Sequence, residues 1–142
     1  MNSTITPEEP QDDEPGFKAV DNVASFLGIP REPNQQDWPY EVADAEHFDR
    51  YATAFRHFHE SQMDQEKQVL IMMLLQAAEE SSILRNERID LIEEFIGYDI
   101  DLYRSIIYHW CVWDNVNEPD DTELSWRITP RMRQIYMNSF EN

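Results

Sequence analysis

An all-α fold, a compact bundle of four to five helices behind an acidic, proline-rich and partly disordered N-terminal arm, is what this sequence predicts. Three observations carry that expectation. Six of the eight prolines (Pro7, Pro10, Pro15, Pro30, Pro33, Pro39) fall in the first 39 residues, and none lies between Tyr40 and Glu118. Proline removes a backbone N–H and clashes with the preceding turn, so the head is driven into irregular backbone while the middle is free to be helical. Apolar residues in that middle recur at three- and four-residue spacing, the period of a helix with one buried stripe. Finally, 142 residues at 41% hydrophobic and 12% aromatic supply one core of ordinary size and exclude a wholly disordered chain.

The elements follow in order. Residues 1–16 carry Glu8, Glu9, Asp12, Asp13 and Glu14 with no base, the composition of a disordered acidic tail. Residues 17–39 read as an arm or linker containing a short helix: Asp21 as its N-cap, Val23, Phe26 and Leu27 as its apolar face, Gly28 as its stop. Trp38 is placed to anchor the linker that follows. Residues 40–142 form the bundle domain. Over residues 44–62, Phe48, Tyr51, Phe55 and Phe58 make one stripe. Over residues 64–82, the run 69–75 is apolar on every side, which marks the most buried helix. Asn86 caps a third helix with the face Ile89, Ile92, Phe95 and Ile96, ending at Gly97. Asp99 caps a fourth, with Tyr103, Ile106, Ile107, Trp110 and Trp113 inward. The short connection at Gly97 and Tyr98 implies antiparallel neighbours. Turn-forming residues then fill 114–128. Thr129 followed by Pro130 reads as a hydroxyl N-cap with proline at the first helical position, opening a last helix through Met132, Ile135, Tyr136 and Phe140.

Charge narrows the function classes. The chain holds 29 acidic and 11 basic residues, a formal net charge of −18, and only two of its bases are lysines, Lys18 and Lys67. The acid is uneven: residues 1–49 hold 12 acids against 2 bases, and residues 99–126 hold 7 against 1. Such a field repels nucleic acid and anionic membrane and attracts basic partners. The first twenty residues lack the basic and apolar blocks of a signal peptide. The longest apolar run, 69–75, is far short of the roughly 20 residues that span a bilayer. A cytoplasmic location is the expectation, with the single cysteine, Cys111, reduced.

Chemistry is sparse by the same reading. Gly16, Gly28 and Gly97 are too scattered for a phosphate-binding loop. His47, His57, His59 and His109 lack the paired helical spacing of a metal centre; Asp44 and His47 have the right separation but no second copy. The loop beginning at Asp114 fails the calcium-loop pattern, because its third position is Val116 and its sixth is Pro119. Adjacent acids such as Glu79 and Glu80 point apart on a helix and read as solvated faces. No catalytic, cofactor or metal residue is expected, and an enzyme is the least favoured class.

The acidic surface itself remains. It predicts a non-enzymatic binding protein that neutralises a basic partner, of the immunity, antitoxin or inhibitor kind, with carboxylates that mimic DNA phosphates as one form of that reading. The partner-binding residues expected are Glu41, Asp44, Glu46 and Asp49 on one edge, and Asp99, Asp101, Asp114, Glu118, Asp120, Asp121 and Glu123 on the fourth helix and its loop. Trp38 and Trp126 would be the aromatic anchors. The partner is a basic nuclease, toxin or nucleic-acid-binding complex, with no direct binding of nucleic acid or membrane; self-association as a homodimer is carried beside it. The alternative class is an accessory subunit held in a larger assembly by an exposed helix face.

Overall fold

The computed structural model describes residues 7–11, 14–32, 35, 37–113 and 126–141. Seven α-helices occur among them rather than four or five: α1 (Phe17–Leu27), α2 (Trp38–Val42), α3 (Phe48–Glu60), α4 (Asp64–Glu80), α5 (Asn86–Gly97), α6 (Arg104–Cys111) and α7 (Thr129–Phe140). Two 3-10 turns, Ala45–His47 and Ile100–Tyr103, lead into α3 and α6. The extra helices arise where sequence reading expected an arm. None of these helices is long and apolar enough to cross a membrane.

Helix α4 is the axis of the fold. Val69, Leu70, Ile71, Met73, Leu74, Leu75 and Ala77 are all fully buried, and α1, α2, α3, α5 and both 3-10 turns pack around it. An apolar helix surface on every side demands neighbours on every side. Polar residues in its first turns are matched individually. Glu66 accepts from Asn22 Nδ2 of α1 at 2.7 Å, and Gln68 Nε2 donates to the Leu102 carbonyl at 2.9 Å.

Helix α1, within the stretch read from the sequence as an arm or linker with a short helix, packs into the core. Ala19, Val20, Val23, Ala24 and Leu27 are buried against α4 and α3, while Phe26, expected inward, is 45% exposed. The helix starts four residues earlier than Asp21, and that shift rotates the buried face onto Ala19 and Val20. Gly28 stops it at φ 71°, its N–H and that of Ile29 closing back on the last turn, the left-handed cap that glycine adopts without a Cβ penalty. The described part of the first sixteen residues also lies on the domain: Pro7 is buried and its carbonyl accepts from Tyr108 Oη at 3.2 Å.

The stripes expected for α3, α5 and α6 are buried as read, including Phe48, Phe55, Ile92, Phe95, Ile107 and Trp110. Their pairing differs. Helix α6 packs chiefly on α7, and α5 meets the 3-10 turn before α6 rather than lying along it. The helix expected from Asp44 begins as a 3-10 turn, with Asp44 Oδ1 accepting from the His47 N–H at 2.9 Å.

Arginines fasten the α7 corner. Arg133 donates to the Cys111 and Val112 carbonyls at 2.6 and 2.8 Å, and Arg131 reaches Asp90 and Glu93 at 3.0 and 2.8 Å. Arg127 donates to the carbonyls of Glu79 and Ser81. Glu79, expected on a solvated face, instead accepts from the Arg127 and Ile128 N–H groups at 3.0 and 3.1 Å. Thr129 is no N-cap: its hydroxyl turns inward, donating to the Trp110 carbonyl at 2.9 Å and accepting from the Trp126 N–H at 3.1 Å. Thr129→Val keeps the shape and leaves both groups unsatisfied. It should cost about 1–3 kcal/mol, read as a lowered urea midpoint with an unchanged denaturant slope.

Candidate acidic cleft and surface

Packing gathers acids and rings that are distant in the chain. A cleft of about 530 Å³ opens between the N-terminal segment, α2, α4 and α6. Glu9 and Glu14 contribute from the segment, Asp37 and Tyr40 from α2 and its approach, and Tyr108, His109 and Trp113 from α6 and beyond; Met72 of α4 forms part of the wall. No lysine or arginine is among the described residues that line it. The Tyr108 bond to Pro7 holds the segment that carries Glu9 in place.

Aromatic rings continue across the rim. Tyr40 stacks on His109 with centroids 6.0 Å apart and planes 24° from parallel, and His109 meets Trp126 at 5.6 Å. Tyr40 also sets its ring edge-on to Trp110 at 5.9 Å. Burial raises the Tyr40 phenol above its ordinary range, and the negative charges of Glu14 and Asp37 add to the rise. Burial lowers His109, against the opposing pull of Asp37 and Glu14. Both rings are therefore neutral at pH 7, and the cleft's formal charge comes from its carboxylates.

A second hollow adjoins the first, sharing Glu9, Pro10 and Ser105, and is lined further by Glu8, Asp101 and Arg104. Asp101 thus joins N-terminal acids across about ninety residues of chain, a juxtaposition that no sequence period announces.

The expected partner-binding residues are placed as follows. Trp38 is fully buried, its indole N–H donating to the Pro30 carbonyl at 3.0 Å; it pins the linker and presents no surface, so it leaves the set of anchors. Trp126 is 37% exposed and rests on Trp110 at 4.4 Å. Glu41, Glu46 and Asp49 are exposed along one continuous segment, with Asp44 half-buried as the cap of its 3-10 turn. Glu41 accepts from Gln35 Nε2 at 2.6 Å. Asp99 and Asp101 are exposed at the approach to α6. Asp114, Glu118, Asp120, Asp121 and Glu123 lie outside the described residues. No hydrogen bond or ion pair links the 41–49 acids to Asp99 or Asp101 among the described residues. Sequence reading missed Glu9, Glu14, Asp37 and Tyr40, because it assigned them to a tail and linker or to no face at all.

Reactive groups are few. Cys111 is buried, and burial pushes its thiol up to about 12, partly offset by Arg133; a thiol held protonated is a poor nucleophile. Ser105, His109 and Asp37 share the cleft, yet no hydrogen bond joins them as a nucleophile, base and orienting acid among the described residues. No group of three or more histidine, cysteine, aspartate or glutamate side chains among those residues is arranged to hold a metal ion. His47 instead pairs with Asp44 at 2.7 Å, His57 stacks on Phe26 and His59 on Tyr98. No protein-family model matches this chain, and neither a curated protein nor a solved structure does so.

Two outcomes follow from this geometry. Trp38→Ala should lose about 3–5 kcal/mol of stability, and Trp126→Ala clearly less, in parallel urea titrations. His109 should titrate below the ordinary histidine value of 6.5 by NMR. Its folded form resists the proton that the unfolded chain accepts first. Its contribution to stability is therefore lost as pH falls below the unfolded value, and His109→Gln should flatten that part of the pH profile.

Proposed function

We propose that this protein is a non-enzymatic acidic binding protein that neutralises or inhibits a basic partner protein. The observation that carries the reading is how the bases are used. Of the 11 lysines and arginines, Arg31, Arg50, Lys67, Arg88, Arg104, Arg127, Arg131 and Arg133 are engaged with groups of the chain's own fold. Several of these go to backbone carbonyls and neutralise no acid. The surplus of carboxylates is thereby left facing outward. Among the described residues Glu46, Asp49, Asp99 and Asp101 are in no ion pair.

Such a surface accelerates encounter with a basic target and penalises wrong partners of like charge, while a few aromatic contacts supply affinity. Trp126, half-exposed beside the acidic cleft, is the anchor that fits this role. Mimicry of DNA phosphates is the narrower form of the same reading. The accessory-subunit reading draws on different residues: Phe26 at 45% and Ile83 at 74% exposed offer apolar contacts.

The test is capture of partners by the immobilised full chain from its source lysate, eluted over a salt gradient. A basic nuclease, toxin or nucleic-acid-binding protein, released progressively by salt and displaced by competing DNA, is the expected result. A partner that resists salt and is lost in Phe26→Ser or Ile83→Ser overturns neutralisation in favour of the assembly subunit.

A further inference from the structure

We propose that the cleft between the N-terminal segment, α2, α4 and α6 is a receptor for an arginine-bearing segment of a basic protein partner. The inference rests on the acidic-binding reading above and deepens it by naming the recognised side chain.

Three observations converge on the occupant. Glu9, Glu14 and Asp37 face the space, and no lysine or arginine is among the described residues that line it, so a cation entering it meets carboxylates with no base beside them in that lining. Its aromatic side is ordered: Tyr40 and His109 lie nearly parallel at 6.0 Å and both border the space, and a neutral His109 sets no positive charge against an incoming cation. The volume, about 530 Å³, admits a long side chain together with part of its backbone. Trp113, in the wall at 8% exposed, has an indole N–H without an acceptor among the described residues. That N–H is itself enclosed by the protein, so Trp113 serves as wall and as a reporter of occupancy.

Arginine fits better than lysine for reasons of shape. The guanidinium is planar, stacks on aromatic faces and forks onto carboxylates with two parallel bonds, and it sheds water more readily than an ammonium. The cleft is bordered by the aromatic residues Tyr40, Tyr108 and His109 as well as by carboxylates, which a flat, forked cation can engage together. A compact ammonium would use the charge and leave the rings.

The probe is the capped tripeptide acetyl-Gly-Arg-Gly-amide, titrated into the full-length protein and followed by NMR at the Trp113 indole N–H and the Tyr40 and His109 rings. The comparison probes carry citrulline, which keeps the shape without the charge, and lysine. Saturable shifts with the arginine peptide, absent with citrulline and weaker with lysine, are the expected result. Glu14→Gln with Asp37→Asn should weaken binding roughly tenfold. Removing the same charge at exposed Glu60 and Glu87 should change it by less than about twofold. Equal response to citrulline, equal loss in the two double variants, or no saturable shift overturns the proposal, and a lysine peptide bound as tightly overturns the choice of guanidinium. If salt-sensitive capture of the basic partner persists undiminished in Glu14→Gln with Asp37→Asn, the cleft alone fails and the acidic-surface reading stands.

Discussion

The burial of the apolar middle of α4, from Val69 to Leu75 with Met72 alone partly exposed, is the constraint on which the other elements depend. A helix that is apolar along one stripe needs one neighbour; one that is apolar all round needs a jacket. Helices α1, α2, α3 and α5 and the two 3-10 turns supply it, which is why the N-terminal region is drawn onto the domain. Once α1 is drawn in, its first turn lies by the start of α4, where the Gly16 N–H donates to Gln65 Oε1 at 3.0 Å. The segment before α1 is thereby led across the molecule toward α6. The acidic cleft is the space left where that segment, α2 and α6 approach one another over Met72. Its existence follows from covering α4, while its chemistry follows from which residues happen to border the gap.

A second consequence concerns charge. A chain with −18 net charge must hold together against its own repulsion, and it does so by using arginine as a multidentate clamp on backbone carbonyls and ring faces. Arg88 shows the pattern: it donates to the Ala45 carbonyl and to Ser81 Oγ, and its guanidinium lies 4.6 Å from the Phe48 ring centroid. Arg133 repeats it at the end of α6, where Val112 holds the left-handed conformation at φ 50°. That conformation is unfavourable for a β-branched residue, and the carbonyl bond from Arg133 helps to retain it. Five donors in a fixed fork suit arginine to this work better than lysine, in keeping with the scarcity of lysine.

The core stripes of α3, α5 and α6 were legible because helical periodicity is a local signal: Phe55, Ile92 and Ile107 declare their faces through neighbours three and four residues away. Glu79 was not legible, since its role as acceptor for the start of α7 depends on contacts 48 and 49 residues distant. Phe26 was misassigned because α1 begins at Phe17 and buries small residues, Ala19 and Ala24, that a search for large apolar side chains passes over. Trp38 was recognised as an anchor of its linker, but only burial separates a pin from a partner contact. Thr129 and Pro130 marked a helix start correctly and its capping chemistry incorrectly, because the hydroxyl found the Trp110 carbonyl instead.

By itself the sequence determined the helical class, the buried faces of the long periodic helices and the sign of the surface field, all of which follow from composition or from spacing within one element. Only the tertiary structure decided that the acidic N-terminal segment lies against the domain, that α6 pairs with α7, and that Glu9, Glu14 and Asp37 meet Tyr40 and His109 around one cleft. The physical reason is that these residues share no period and no element. Their proximity is fixed by how other side chains are buried, above all those of α4, and a carboxylate in irregular backbone carries no mark of what it will face.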